Sequence, residues 1–180
     1  MRILDVGCGK GNPPPGAPVL PSDTVIGVDL RIEALRTARQ HYPHRNFLCC
    51  RAENLPFSNT SFDRVVSNVA LPYMDIPAAL AEIGRVLKPE GTLFATLHNP
   101  RFTLKELVRA FPRPVPTVFR LYVLANGFIL HCTGRTLKFP TGRCESCQTE
   151  RGMTKALERA GFRNVIFSRP EGRMIAEAEK

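Results

Sequence analysis

No run of 18 consecutive apolar residues occurs anywhere in this chain of 180 residues, so no membrane-spanning helix is expected from the sequence. The longest apolar region, "TVFRLYVLANGFILHC", is broken by Arg120, Asn126, Gly127 and His131. No secretory leader is evident either, because Asp5 interrupts the apolar stretch beside Met1. Six cysteines without a leader are then expected to be reduced thiols in a cytoplasmic protein. Internal repeats are absent, and the one low-complexity stretch is the proline-rich loop at 12–21. The chain also lacks G-K-[ST], which excludes a phosphate-cradling P-loop. A strong zinc signature would need two spaced cysteine pairs; Cys144 and Cys147 form one, while Cys49 and Cys50 are adjacent, so free thiols are expected and no metal.

What is present is an ordinary globular composition, 43% hydrophobic and 23% charged, in a length that suits a single domain, 1–180. The formal net charge is +9. Such a balance favours an acidic partner, or is simply a basic surface. The charge is uneven: residues 99–150 hold eight basic side chains against Glu106, Glu145 and Glu150.

Short apolar runs alternate with helical periodicities, the pattern of a parallel α/β sheet. "RILDV", "TVIGVDL", "NFLCC", "FDRVVSNV" and "TLFATLH" read as five strands. Ile32, Leu35 and Ala38 mark a helix over 31–41. A second helix starts at Asp75, a candidate cap, with Leu80, Ile83 and Leu87 on one face and "KPEG" as its stop. Thr149 is placed to cap a helix bearing Met153, Leu157 and Ala160, ended by Gly161; "NVIFS" and "RMIAEA" then form a hairpin across "RPEG". Residues 99–148 interrupt the alternation. There Thr103 and Glu106 have capping-box spacing before Leu104, Leu107, Val108 and Phe111. The basic helix at 103–113 fits a membrane surface or an anionic substrate as well as a solvated face. Val118, Leu121, Tyr122 and Ala125 fit a helix stopped by Gly127, although Asn126-Gly127 also fits a hairpin turn; the helix is preferred.

The first strand runs into Gly7-Cys8-Gly9-Lys10-Gly11, a turn that lets backbone approach a ligand closely. Its third glycine comes one position too early for the dinucleotide fingerprint. The turn should open a helix, yet Pro13, Pro14, Pro15, Pro18 and Pro21 leave room for one turn at most. Eighteen residues after Gly11, Asp29 ends the second strand, where a carboxylate can accept hydrogen bonds from two ribose hydroxyls or cap the next helix.

"ILDVGCGKG", "VIGVDL", "RAENLPFSNTSFDRVVSNVALPYM" and "LKPEGTLF" follow one another in an order that resembles class I S-adenosylmethionine-dependent methyltransferases, type 11, the group related to ubiquinone and menaquinone C-methyltransferases. The resemblance covers residues 2–98, and more weakly 149–178. It implies a Rossmann-like α/β fold with a mostly parallel seven-stranded sheet in the order 3-2-1-4-5-7-6, the last strand antiparallel. It implies S-adenosylmethionine as cofactor. Asp5, Gly7, Cys8, Gly9 and Gly11 would line its methionine end, and Asp29 with Leu30 would hold the ribose. Arg51 and Ala52 stand where the family has Asp-Ala, so Ala52 and Glu53 would serve the adenine. Ser67 and Asn68 would lie near the sulfonium; His98, at the end of the fifth strand, is the one candidate base, although a structural or surface histidine is the commoner case, and Tyr73 either faces the acceptor or packs.

Two departures from the family are evident. Met1 stands inside the first strand, so the helices that precede it in the family are expected to be missing or reduced, and the helix after it is expected to shrink to the proline loop. Residues 99–148 would form a lid that selects the substrate. [DNS]-P-P-[YF], the mark of nucleic-acid amino-methyltransferases, is replaced by "NVALPY", and no Pro-Cys nucleophile exists. The expected acceptor is therefore a small molecule carrying a carbon or oxygen nucleophile, without membrane insertion. The alternatives are a non-catalytic protein whose site is completed by a homodimer or a partner subunit, and an RNA methyltransferase, which only the charge supports.

Overall fold

The computed structural model describes residues 1–17 and 19–180; Pro18 lies outside the described residues. Seven strands form one sheet in the order β3-β2-β1-β4-β5-β7-β6. They are β1 (Arg2–Val6), β2 (Thr24–Asp29), β3 (Asn46–Cys49), β4 (Phe62–Asn68), β5 (Leu87–Leu97), β6 (Arg163–Ser168) and β7 (Met174–Glu179). β7 runs antiparallel to both β5 and β6, and the other pairings are parallel. Helices α1 (Ile32–His41), α2 (Ile76–Val86), α3 (Pro100–Ala110), α4 (Pro114–Thr133) and α5 (Glu150–Arg159) complete the chain.

Strand alternation divides the apolar residues between two faces. Leu4, Val6, Val28, Val65, Leu93 and Ala176 face α2 and α5, where Leu80, Ile83, Met153 and Leu157 are fully buried against them. On the other face Ile3, Val25, Val66, Phe94 and Ile175 make a smaller cluster, against which Ala17 and Val19 of the proline loop pack. No helix lies between β1 and β2 among the described residues, as the prolines require.

Most elements fall where periodicity puts them, and the exceptions have physical causes. Ile32, which shares the helical spacing, is exposed; Leu35 and Ala38 alone anchor α1. The Asp75 side chain makes no capping bond. It pairs with Lys138 at 3.6 Å, and its own N–H donates to Glu53 Oε1 at 3.1 Å. Leu87 begins β5 instead of ending α2, and "KPEG" is an excursion within that long strand. Phe62 pairs with Leu87 and Arg64 with Thr92, which pushes Lys88–Gly91 out of register. Asp63 holds the excursion by accepting from Lys88 Nζ at 2.6 Å and from the Arg2 N–H at 2.6 Å.

The largest differences lie in 99–148. The cap of α3 is Asn99, whose side chain accepts from the Phe102 N–H at 3.1 Å; Thr103 is buried inside the helix. Pro100 at the first helical position fixes this earlier start. Leu104, Val108 and Phe111, which the spacing puts on one helical face, are exposed. α4 runs straight through Asn126 and Gly127. A Cβ on Gly127 would stand 2.2 Å from Cys147 Sγ, so this glycine admits the chain at 145–148 against the helix and does not stop it. Gly134, left-handed at φ 66°, is the stop, its N–H donating to Leu130 O at 2.7 Å. By length and composition α4 could cross a bilayer. In this fold Val123, Asn126 and Leu130 are buried, and Asn126 Nδ2 donates to Leu137 O and Glu145 O at 3.0 and 2.9 Å.

Candidate cofactor and acceptor site

The strand order reverses between β1 and β4, and the crevice outside the carboxyl ends of such strands is where open α/β sheets bind ligands. After Val6 the chain turns sharply. The N–H groups of Gly7 and Cys8 both donate to Val28 O, at 2.8 and 3.0 Å, which ties the turn to β2. Gly7 has φ +72°, and a Cβ there would stand 2.2 Å from the Ala70 Cβ. Only glycine brings the turn so close to the segment leaving β4.

A cleft of about 500 Å³ opens in front of Gly7. That volume suits a nucleoside-sized ligand. Asp29, Leu30, Arg51, Ala52, Glu53, Asn68 and Tyr73 line it. The remaining wall comes from Val28, Arg31, Cys50, Val69, Ala70 and Met74, which sequence reading did not single out. Arg31 could have been suspected, since it follows Asp29 by two residues. Its N–H and its Nε donate to Asp29 Oδ1 at 2.8 and 3.3 Å, while the Gly9 N–H donates to Oδ2 at 2.9 Å. Asp29 thus clasps the glycine turn to the start of α1. Arg51, on the cleft wall, pairs through Nη2 with Glu53 Oε1 at 3.2 Å.

Several expected residues stand behind the wall. Cys8 packs among Leu35, Ala38 and Phe47, and burial, then the Asp5 charge, pushes its thiol far up. Gly11 lies against Tyr42 and Phe47, and its carbonyl accepts from Arg45 Nη1 at 3.2 Å. The Ser67 hydroxyl donates to Val6 O at 3.0 Å and is wholly buried, a bridge from β4 to β1. Asp5 is buried with Oδ1 unpartnered. Burial raises its carboxyl from 3.8 to about 7; Arg45 opposes the rise and Asp29 adds to it.

A second cavity of about 300 Å³ adjoins the first and shares Asn68 and Val69 with it. Thr96, His98, Phe102 and Arg173 also line it. Val69 has φ +53°, an outlier for a β-branched residue. It is held there by donation of its N–H to Thr96 Oγ1 at 2.9 Å, and Thr96 Oγ1 donates in turn to Asn68 Oδ1 at 2.8 Å. The His98 ring stacks on Phe102 at 4.5 Å and meets Tyr73 edge-on at 5.7 Å. Burial, then the Arg120 charge, holds its imidazole below the usual value, which favours the neutral form. Its backbone exchanges two bonds with Gln148, His98 N–H to Oε1 at 2.9 Å and Gln148 N–H to His98 O at 2.8 Å. Burial raises the Tyr73 phenol, with the Glu145 charge next in weight. Among the described residues no group of three or more His, Cys, Asp or Glu is placed to hold a metal ion.

The family profile for a methyltransferase domain matches residues 4–95. The chain is 36% identical over 172 residues to a demethylmenaquinone methyltransferase of Chlorobaculum tepidum, covering 92% of this chain and 67% of that protein. It is 35% identical over 118 residues to a malonyl-[acyl-carrier protein] O-methyltransferase of Methylovorus sp. (strain MP688), covering 59% of this chain and 40% of the relative. It thus spans less than half the length of several relatives that it matches. The crystal structure of a SAM-dependent methyltransferase from Methanosarcina mazei superimposes with a TM-score of 0.65 at 22% identity, over 99% of this chain and 92% of that one. With just over half of its length matched by the family profile, and with this sheet order, the chain belongs to the type 11 methyltransferase domain family and has the Rossmann-like fold of S-adenosylmethionine-dependent methyltransferases.

Proposed function

We propose that this chain transfers a methyl group from S-adenosylmethionine to a small-molecule acceptor, with the cofactor in the larger cleft and the acceptor in the smaller cavity. The observation that carries the reading is the shared wall: Asn68 and Val69 border both spaces, so two ligands would meet there. The residues present suit the cofactor. Gly7 leaves room for close backbone approach, and Val28, Leu30, Ala52 and Met74 offer apolar surface to a base. Asp29 keeps acceptor capacity for ribose hydroxyls, because two carboxylate oxygens hold about four lone-pair sites. Glu53, with Ala52 beside it, is the carboxylate on the wall where the family's Asp is replaced by Arg51.

When bound, S-adenosylmethionine supplies an electrophilic methyl carbon. The task left to the protein is to hold the acceptor in line and exclude water. His98, Phe102 and Tyr73 present aromatic surface to the acceptor, and Arg173 stands at the rim for a negatively charged group. A neutral His98 can take a proton from an acceptor that arrives protonated. Residues 99–148 act as the substrate-selecting lid. In support, the Ser146 N–H donates to Pro72 O at 3.0 Å and Gln148 clamps His98, which ties the segment to the acceptor side. Relatives named for demethylmenaquinone and for malonyl-[acyl-carrier protein] support an acceptor of low molecular weight or one carried on a small protein.

Calorimetric titration with S-adenosylmethionine and S-adenosylhomocysteine tests the cofactor reading. Micromolar binding that Asp29→Ala abolishes is expected, whereas absence of binding to either ligand overturns it. For the acceptor side, His98→Asn should leave cofactor affinity intact and lower the rate roughly a hundredfold. The rate of the parent should be level from pH 7 to 8 and fall only below the ordinary histidine range, since the imidazole is held low.

A further inference from the structure

Helical spacing of three and four residues puts Val118, Leu121, Ala125, Phe128 and Cys132 on one stripe of α4, and all five are exposed. Leu104 and Val108 on α3, and Phe111 just past its end, follow the same spacing, with Val108 71% and Phe111 75% exposed. α3 and α4 pack against each other, and monomeric soluble proteins rarely leave this much apolar helix surface uncovered. The charges around the stripes have one sign. Between residues 99 and 133 every exposed charged side chain is basic: Arg101, Lys105, Arg109 and Arg113. Glu106 is half-buried, paired with Arg109 at 3.0 Å and with Arg120 at 3.8 Å. Arg120 turns inward to Glu145 at 2.7 Å.

The occupant of this face must therefore be both apolar and negatively charged. A second copy would bring the same basic rim against itself, and like charges across an interface are unfavourable. We infer that the α3–α4 face docks on the surface of a bilayer containing anionic lipid, its apolar stripes entering the headgroup boundary and its basic side chains meeting the phosphates. Phe102 on α3 also lines the cavity beside His98, so the docked face would lead to the acceptor side. A lipid-soluble acceptor would enter that way; this last step rests on the methyl-transfer reading, and docking itself does not.

The experiment is flotation of the full chain, without cofactor, on vesicles of phosphatidylcholine alone and of phosphatidylcholine mixed with phosphatidylglycerol. Flotation with the mixed vesicles only, weakened by salt, is expected. Leu121→Glu with Phe128→Glu should lower partitioning roughly tenfold or more. Lys105→Gln with Arg113→Gln should lower it several-fold at low salt. Circular dichroism melts check that the variants fold, and Phe128→Ser serves as a milder replacement. No flotation on the mixed vesicles, or flotation unchanged by the stripe variants, overturns the inference. A dimer in sedimentation velocity that Leu121→Glu separates also overturns it, in favour of a second copy. Because no cofactor is present, failure here is distinguishable from failure of the cofactor titration.

Discussion

α2 and α4 carry similar apolar residues at similar spacing, and the fold uses them in opposite ways. In α2, Ile76, Ala79, Leu80 and Ile83 are sealed against the sheet. In α4 the buried stripe is narrow and partly polar, centred on Val123, Asn126 and Leu130, while Leu121 and Phe128 face outward. The same contrast extends to buried carboxyls. Asp5, on the interior strand β1, has an oxygen with no partner. Glu145, beneath α4, pairs with Arg120 at 2.7 Å and with Arg143 at 3.7 Å. Periodicity therefore identifies a helix, whereas only the tertiary neighbours decide which face is core.

The sharpest way to break this comparison is stability. Leu80→Ala should cost about 2–5 kcal/mol in denaturant unfolding, the range for a fully buried leucine. A cost near zero would mean that α2 is not the core helix described. Gly127→Ala probes the buried side of α4, where the added Cβ would also stand 2.8 Å from Cys147 O. A loss of about 1–3 kcal/mol is expected from that overpacking; no loss would place α4 away from residues 145–148.

Asp5 gives a pH test. Its folded-state value, about 7, lies above the ordinary 3.8, so the folded chain retains a proton that the unfolded chain releases between those values. This contribution to stability is full at low pH and is lost as pH rises through that window, at up to about 1.4 kcal/mol per pH unit. Asp5→Asn should flatten the profile between pH 4 and 7, as read by urea melts; an unchanged slope would refute the assignment. The smallest effect belongs to Leu121→Ala, expected within about 0.5 kcal/mol of the parent. A large loss there would mean that the outward stripe of α4 is core after all.

The strands were legible because their β-branched runs and terminal acids are local signals: "VIGVD" carries both a buried strand and Asp29. The hairpin at the end of the chain and the Thr149 cap, which accepts from the Gly152 N–H at 3.2 Å, were legible for the same reason. The cleft was read through Gly7, Asp29 and Glu53, because motif and strand end coincide there. Arg31, Met74 and the strained Val69 carry no motif, and their place depends on how β2 and β4 end side by side. Segment 99–148 was harder. Thr103-x-x-Glu106 imitates a capping box, yet Asn99-Pro100 is a stronger start, set by where β5 releases the chain. Gly127 imitates a stop, but it is present to admit Cys147.

The proline loop between β1 and β2 has one more consequence. Pro13, Pro14, Pro15 and Pro21 bring no amide hydrogen, so the strap over Ile3 and Phe94 donates few backbone bonds, among them Ala17 N–H to Pro14 O at 3.0 Å and Val19 N–H to Ala17 O at 2.8 Å. Lifting it breaks little, whereas lifting α2 or α5 breaks whole helical ladders. The protein should breathe lopsidedly: sub-global opening would start on the strap's side of the sheet, and amides of β1 and β2 would exchange with solvent by a lower-energy route than those of β5 and β7.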